Sequence, residues 1–168
     1  MDLHVFANGT ARVGNVTFPC ALGRAGVTSY KREGDGATPA GDWQLRMGFY
    51  RSDRLAVPEI KLPLRPLNPF DGWCDDPGDA QYNKHVTLPH PGRTETLWRD
   101  DCAYDAIVPL GYNDGPVMPG LGSAIFLHVA KPEWPPTEGC VALALPDLLA
   151  FLEQADLTTR VLIRTDRP

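Results

Sequence analysis

No run of eighteen or more apolar residues occurs in this 168-residue chain, so no segment is expected to span a bilayer. Basic residues are in short supply: sixteen Lys and Arg stand against twenty-one Asp and Glu, a net charge of −5. That balance removes the electrostatic footprint of a nucleic-acid binder and leaves no polybasic patch for a membrane surface. A partner presenting amines, or a zwitterionic peptide, suits it better than a phosphate polymer. Cysteine is scarce and scattered, at Cys20, Cys74, Cys102 and Cys140. With no Cys-x-x-Cys pair and no His/Cys cluster at zinc-ligand spacing, neither a metal nor a cofactor is expected. A Cys74–Cys102 bridge stays open, because both lie in Asp-rich loops and spacing alone does not establish one. Heptads, repeats and low-complexity tracts are missing as well. The N-terminal MDLHVFANGTARV has no positively charged leader region, and its apolar stretch is too short for a signal peptide. A mature chain, another export route and retention inside the cell all remain open.

What is present fits one domain over residues 1–168, large enough for a hydrophobic core without staples. Residues 3–6 and 13–20 read as strands around an Asn8-Gly9 turn, a strong hairpin signal. Residues 43–50 place Trp43, Leu45, Met47 and Phe49 at every second position, the pattern of a half-buried strand. In 57–69, Pro58, Pro63, Pro66 and Pro69 exclude a helix interior and a central strand, leaving an extended connector or an edge. Residues 106–110 form an apolar run ending at the turn 111–116, and 124–127 form another. Residues 146–154 carry the start signal and apolar spacing of one short helix. The β-branched 161–163 fits a closing strand, so the class is mainly β.

One stretch gathers reactive groups. The run 124–127 delivers His128, a proline-rich loop follows, and Thr137-Glu138-Gly139-Cys140 arrives just before an apolar, helix-like segment. A thiol and an imidazole thus end two ordered elements. The thiolate is the attacking form of cysteine, and a neighbouring His can take the proton and return it to a leaving amine. Gly139 permits a tight turn that brings successive N–H groups towards one point, where they could hold an oxyanion. The competing reading is a buried free cysteine and a satisfied core histidine. The order strand, His, loop, Gly-Cys, apolar segment favours the reactive pair.

Thr137-Glu138-Gly139-Cys140-Val141, preceded by a His at the end of an apolar strand, resembles the nucleophile motif of the L,D-transpeptidase catalytic domain, the YkuD-like family. Upstream, Thr38-Pro39-Ala40-Gly41, within the stretch from Gly34 to Trp43, is similar to that family's Thr-Pro-x-Gly turn leading into a strand. The likeness spans about residues 30–152. It implies a YkuD-like β-sandwich with a short helix after the nucleophile loop, and acyl transfer on peptidoglycan stem peptides. Cys140 would be the nucleophile and His128 the general base and then acid, oriented by the backbone carbonyl of Val129. Gly139 and Cys140 would supply oxyanion N–H groups, and an amine or water would resolve the thioester. The implied partners are a donor stem peptide and an amine acceptor. The implied location is the periplasm or cell envelope, with the cytoplasm left open by the missing signal peptide. Three departures bear on how the donor is gripped: Ala142 where many members carry Arg, Val129 where Gly is common, and a short loop between His128 and Cys140. A carboxypeptidase or endopeptidase of the same fold and a non-catalytic wall-binding module are the alternatives.

The remaining candidates concern binding. Residues 23–41 read as a Gly-rich polar loop, either plain surface or, given the resemblance, a substrate side carrying Tyr30 and Arg32. Asp75-Asp76-Pro77 is an ordinary turn or a pair of acids, and Trp73, Tyr82 and Asn83 are candidates to line the cleft and hold the peptide stem. Arg99 offers a fork for a carboxylate, with an ion pair to Asp100, Asp101 or Glu95 as the equal alternative. Thr137 belongs to the motif itself. Trp134, between prolines, could form an apolar lip over the thiol.

Overall fold

Along the first strand Leu3 and Val5 are fully buried while His4 between them is half-buried, and along the last Val161 and Ile163 point the same way. Such period-two burial is what a sheet with one face on a core requires. The computed structural model describes residues 1–56 and 60–166. In chain order the elements are β1 (Leu3–Phe6), β2 (Thr10–Val13), β3 (Val16–Pro19), β4 (Val27–Thr28), β5 (Thr38–Pro39), β6 (Gly41–Gln44), β7 (Gly48–Tyr50), β8 (Leu64–Pro66), β9 (Asp71–Cys74), β10 (His85–Thr87), β11 (Thr94–Thr96), β12 (Ala106–Pro109), β13 (Phe126–Val129), β14 (Val141–Leu143), α1 (Leu145–Leu152) and β15 (Arg160–Arg164). Strand accounts for 35% and helix for 5%, which makes the class mainly β.

Two five-stranded sheets, β3-β2-β1-β15-β6 and β14-β13-β12-β7-β8, enclose the main core. Leu3, Val5, Val161 and Ile163 from the first meet Val108, Leu127, Val129, Val141 and Leu143 from the second. Helix α1 adds Leu148, Phe151 and Leu152, at the i, i+3, i+4 spacing of one helix face. This is a β-sandwich with a short helix. A three-stranded sheet, β10-β9-β11, and the pair β4-β5 sit beside it. Among the described residues no helix is long and apolar enough to cross a membrane.

Several local expectations are corrected. Residues 13–20 are not one strand: Gly14 takes a left-handed φ of 55° and turns the chain again, so β2 and β3 form a second hairpin. Residues 43–50 divide between the two sheets, β6 pairing with β15 and β7 with β12, because an alternating pattern is equally at home in either. The stretch 23–41 is not plain loop, since β4 pairs with β5 inside it. In the proline-rich connector, β8 pairs with β7 at the end of its sheet, as residues without N–H donors require; residues 57–59 lie outside the described part. Cys74 and Cys102 are both free thiols, so no bridge joins them.

Leu127→Ala should lower the unfolding free energy by about 2–5 kcal/mol, the usual range for emptying a core leucine site. Urea unfolding with an unchanged m-value reads this directly. A loss below about 1 kcal/mol would show that the face of β13 opposite His128 is not packed.

Candidate active site

Strand β13 has two faces with different duties. Leu127 and Val129 enter the main core, while Phe126 and His128 face the other way. Its parallel neighbour β14 pairs Ala142 with His128 and Val141 with Leu127. Cys140, two residues before Ala142, therefore projects on the His128 side, offset diagonally by about 6.6 Å along the strands and about 4.8 Å across them. Both side chains line one cleft of about 490 Å³.

The cysteine loop is fixed from both ends. Gly139 N–H donates to Thr137 Oγ1 (3.1 Å), and the Thr137 hydroxyl donates to the Cys140 carbonyl (2.7 Å). Thr137 N–H donates to Leu22 O (2.8 Å), and Arg24 N–H to Thr137 O (2.8 Å). Gly23, between them, donates its N–H to Thr38 Oγ1 (2.9 Å). Gly139 itself has φ 135° and lies so close to the Ala37 carbonyl that a Cβ would sit 2.8 Å from its oxygen. Only glycine fits there. The Thr38-Pro39 segment and the Gly139-Cys140 turn are thus one packed unit.

At the thiol, Phe126 N–H donates to Cys140 Sγ (3.3 Å), and Sγ–H donates to the Ala124 carbonyl (3.2 Å). Ala124 has a left-handed φ of 54°, a strained value for a residue with a Cβ. Asn83 holds it: Oδ1 accepts from Ala124 N–H (3.0 Å) and Trp73 Nε1–H (3.0 Å), while Nδ2 donates to the carbonyls of Tyr112 and Asn113. Burial pushes the Cys140 thiol up to about 12, and the Glu95 carboxylate adds to that, against weaker help from Phe126 N–H, Lys31 and Arg99.

His128 Nδ1 lies 2.9 Å from the Val129 carbonyl. A carbonyl only accepts, so Nδ1 carries the proton and the neutral ring keeps a lone pair on Nε2. Burial lowers His128 to about 4, despite that hydrogen bond. The resting pair is therefore thiol and neutral imidazole. Tyr104 stands edge-on to the imidazole at 5.3 Å and donates its hydroxyl to Glu95.

A comparison with protein families matches YkuD, the L,D-transpeptidase catalytic domain, over residues 3–163. The chain belongs to this family. Neither a search of curated proteins nor one of solved structures returns a match. YkuD domains act on peptidoglycan peptides.

Within this YkuD domain the residues singled out from sequence fall in different places. Arg99 and Thr137 line the cleft with Cys140 and His128. Arg99 also forks onto Asp101 (2.8 and 2.6 Å) and lies over the Tyr104 ring, so its ion pair exists as well. Trp73, Tyr82 and Asn83 sit behind the lining: Trp73 packs edge-on to Phe126, and the buried Tyr82 donates to Glu33 and accepts Gly122 N–H (3.1 Å). Tyr30 and Arg32 lie at a separate, shallower hollow of about 200 Å³ beside Trp43. Trp134, with φ 54°, is exposed outside the cleft, whose rim is made by Pro135 and Pro136. Asp75 pairs with Arg93 and Asp76 closes a turn onto Gly78 N–H (2.9 Å).

Sequence reasoning missed Lys31, Glu33, Glu95 and Ser123, which all line the cleft. Lys31 is buried and bonds Asp35, four residues on, a spacing that was open to inspection in the sequence. Glu33 accepts from Ser123 Oγ (2.7 Å), a contact no local pattern announces.

Asn83→Ala removes four hydrogen bonds at once and should cost about 1–3 kcal/mol or more in urea unfolding, the penalty for stranding buried partners. A neutral outcome would mean that Ala124 holds its conformation unaided. Because the thiol is raised, alkylation of Cys140 by iodoacetamide, corrected with Cys140→Ala, should climb roughly tenfold per pH unit from about pH 7 to about 10 without a plateau. A plateau below about pH 8 would instead reveal a resting thiolate.

Proposed function

We propose that this YkuD domain transfers acyl groups between peptidoglycan stem peptides through a thioester on Cys140. The observation carrying the reading is that His128, on β13, and Cys140, immediately before the adjacent β14, both line one cleft, with the imidazole tautomer fixed by Val129 O. Nε2 takes the thiol proton as sulfur attacks the carbonyl carbon of the donor, and the imidazolium returns that proton to the amine that departs. An acceptor amine then attacks the thioester, giving its proton to the same nitrogen; the C–S bond breaks and the released Cys140 thiolate takes that proton back. With thiol high and imidazole low, proton transfer accompanies attack rather than preceding it. Gly139 N–H is occupied by Thr137, which leaves Cys140 N–H as the oxyanion donor from this turn.

The cleft lining supports a substrate bearing both signs of charge. Lys31, Arg93 and Arg99 face it from loops, as do Glu33 and Asp75, and Glu95 faces it from β11. A stem peptide offers carboxylates to the first set and an amine to the second. Water resolving the thioester gives the carboxypeptidase or endopeptidase outcome, and a surface that only binds wall peptides gives no thioester at all. A cell-envelope location follows from the substrate.

Intact-protein mass spectrometry after incubation with muropeptides should show an adduct on the wild type and a cross-linked product. Cys140→Ala should abolish both while keeping the fold. His128→Gln should lower acylation by about 10²–10⁴-fold with binding largely retained. Full turnover in Cys140→Ala would remove the mechanism, and tripeptide as sole product at every acceptor concentration would assign a hydrolase.

A further inference from the structure

Outside the cleft, a second reactive cluster stands on the three-stranded sheet. Cys74 ends β9, paired in register with Thr94 of β11, and its backbone is locked by Cys74 N–H to Lys84 O (2.9 Å) and Asn83 N–H to Cys74 O (2.8 Å). Asp79 lies in the turn that follows, and His90 in the connection between β10 and β11. One ligand atom from each, the Cys74 sulfur, an Asp79 carboxylate oxygen and a His90 ring nitrogen, lie within 4.8 Å of one another. Cys74 is fully buried, and the side chains of His90 and Asp79 are only 14% and 18% exposed.

We infer that Cys74, Asp79 and His90 form a binding site for a thiophilic divalent cation of the zinc type. A thiolate, an imidazole and a carboxylate make a mixed S, N, O donor set that suits zinc, whereas calcium and magnesium demand oxygen throughout. His90 Nε2 and Asp79 Oδ2 are 3.0 Å apart, against about 3.4 Å for two ligands of a tetrahedral zinc at ordinary bond lengths. The Asp79 carboxylate is also oriented from behind, its Oδ1 accepting Gln81 N–H (2.7 Å), as ligating carboxylates usually are. Gly92 makes room for it: a Cβ there would lie 2.6 Å from Asp79 Oδ2. On binding, the Cys74 thiol loses its proton to solvent, His90 Nε2 gives up the proton it now shares with Asp79 so that the neutral ring carries its proton on Nδ1, and water completes the fourth position.

Such an ion ties the turn after β9 to the connection before β11. Asp75 and Arg93, neighbours of these two segments and paired with each other (3.0 Å), form one wall of the cleft. The ion therefore stiffens a substrate-facing wall without touching the Cys140 chemistry. Sequence spacing hid the site because its ligands come from the end of one strand and from two different connections.

The test is cobalt binding to the full chain after chelator treatment. One equivalent of Co²⁺ should give a thiolate-to-cobalt charge-transfer band that Zn²⁺ displaces. Cys74→Ser should abolish the band, and Cys140→Ala should keep it at full strength. Gly92→Ala, which pushes aside only the flexible end of Asp79, should leave the fold intact and weaken affinity by about 10–100-fold, as disturbing a ligand's support does. No band from folded wild type, a band unaffected by Gly92→Ala, or one that survives Cys74→Ser and disappears in Cys140→Ala would each overturn the assignment.

Discussion

The carbonyl of Ala37 resting against the bare Cα of Gly139 is the contact on which the site depends. Any side chain at Gly139 would push the two segments apart, because the obstacle is backbone and cannot rotate away. Around it the hydrogen bonds form a closed set: Thr38 holds Gly23, Gly23 makes an isolated bridge to Thr137, and Thr137 holds both Gly139 and the Cys140 carbonyl. The free edge of β14 is covered by the same segment, through Ala21 and Ala142 exchanging two bonds of 2.9 Å. Two sequence motifs far apart in the chain are thus one mechanical unit.

This rigidity explains an electrostatic arrangement that would be wasteful elsewhere. A thiol buried beside the Glu95 carboxylate is held protonated, and a buried imidazole is held neutral. In the proposed reaction neither charge is made until a reacting carbonyl supplies somewhere for electrons to go. The strained Ala124 belongs to the same arrangement: its carbonyl accepts the thiol's hydrogen bond in the resting state, and Asn83 holds that residue in place.

The sequence disclosed those features that are local. His128 at the end of an apolar run and Gly139-Cys140 before another follow from neighbours in the chain, as do α1, β12 and β15. What it concealed depends on long-range approach. The alternation from Trp43 to Phe49 is the same on either sheet, so nothing in it marks where the chain crosses over. Asn83 looks like a turn residue, with φ 57° to match, and its use as the support of Ala124 is invisible until the fold is closed. Lys31 and Glu33 lie in a Gly-rich stretch without periodicity, and the Cys74, Asp79, His90 cluster has no ligand spacing to read.

Ala142 shows how a departure in sequence becomes a property of the cleft. Its register partner is His128, and both line the cleft from adjacent strands. A long cation at this position would stand beside the imidazole and hold its proton affinity down further. With alanine there, positive charge reaches the cleft from loops instead, through Lys31, Arg93 and Arg99. Arg99 is already paired with Asp101, which also binds Lys131 at 3.1 Å, so much of its charge is compensated before it reaches His128. Lys31 is likewise neutralised in part by Asp35. The cleft therefore keeps its positive charge at its walls, on loops, and leaves the strand pair beside Cys140 and His128 without a Lys or Arg side chain of its own.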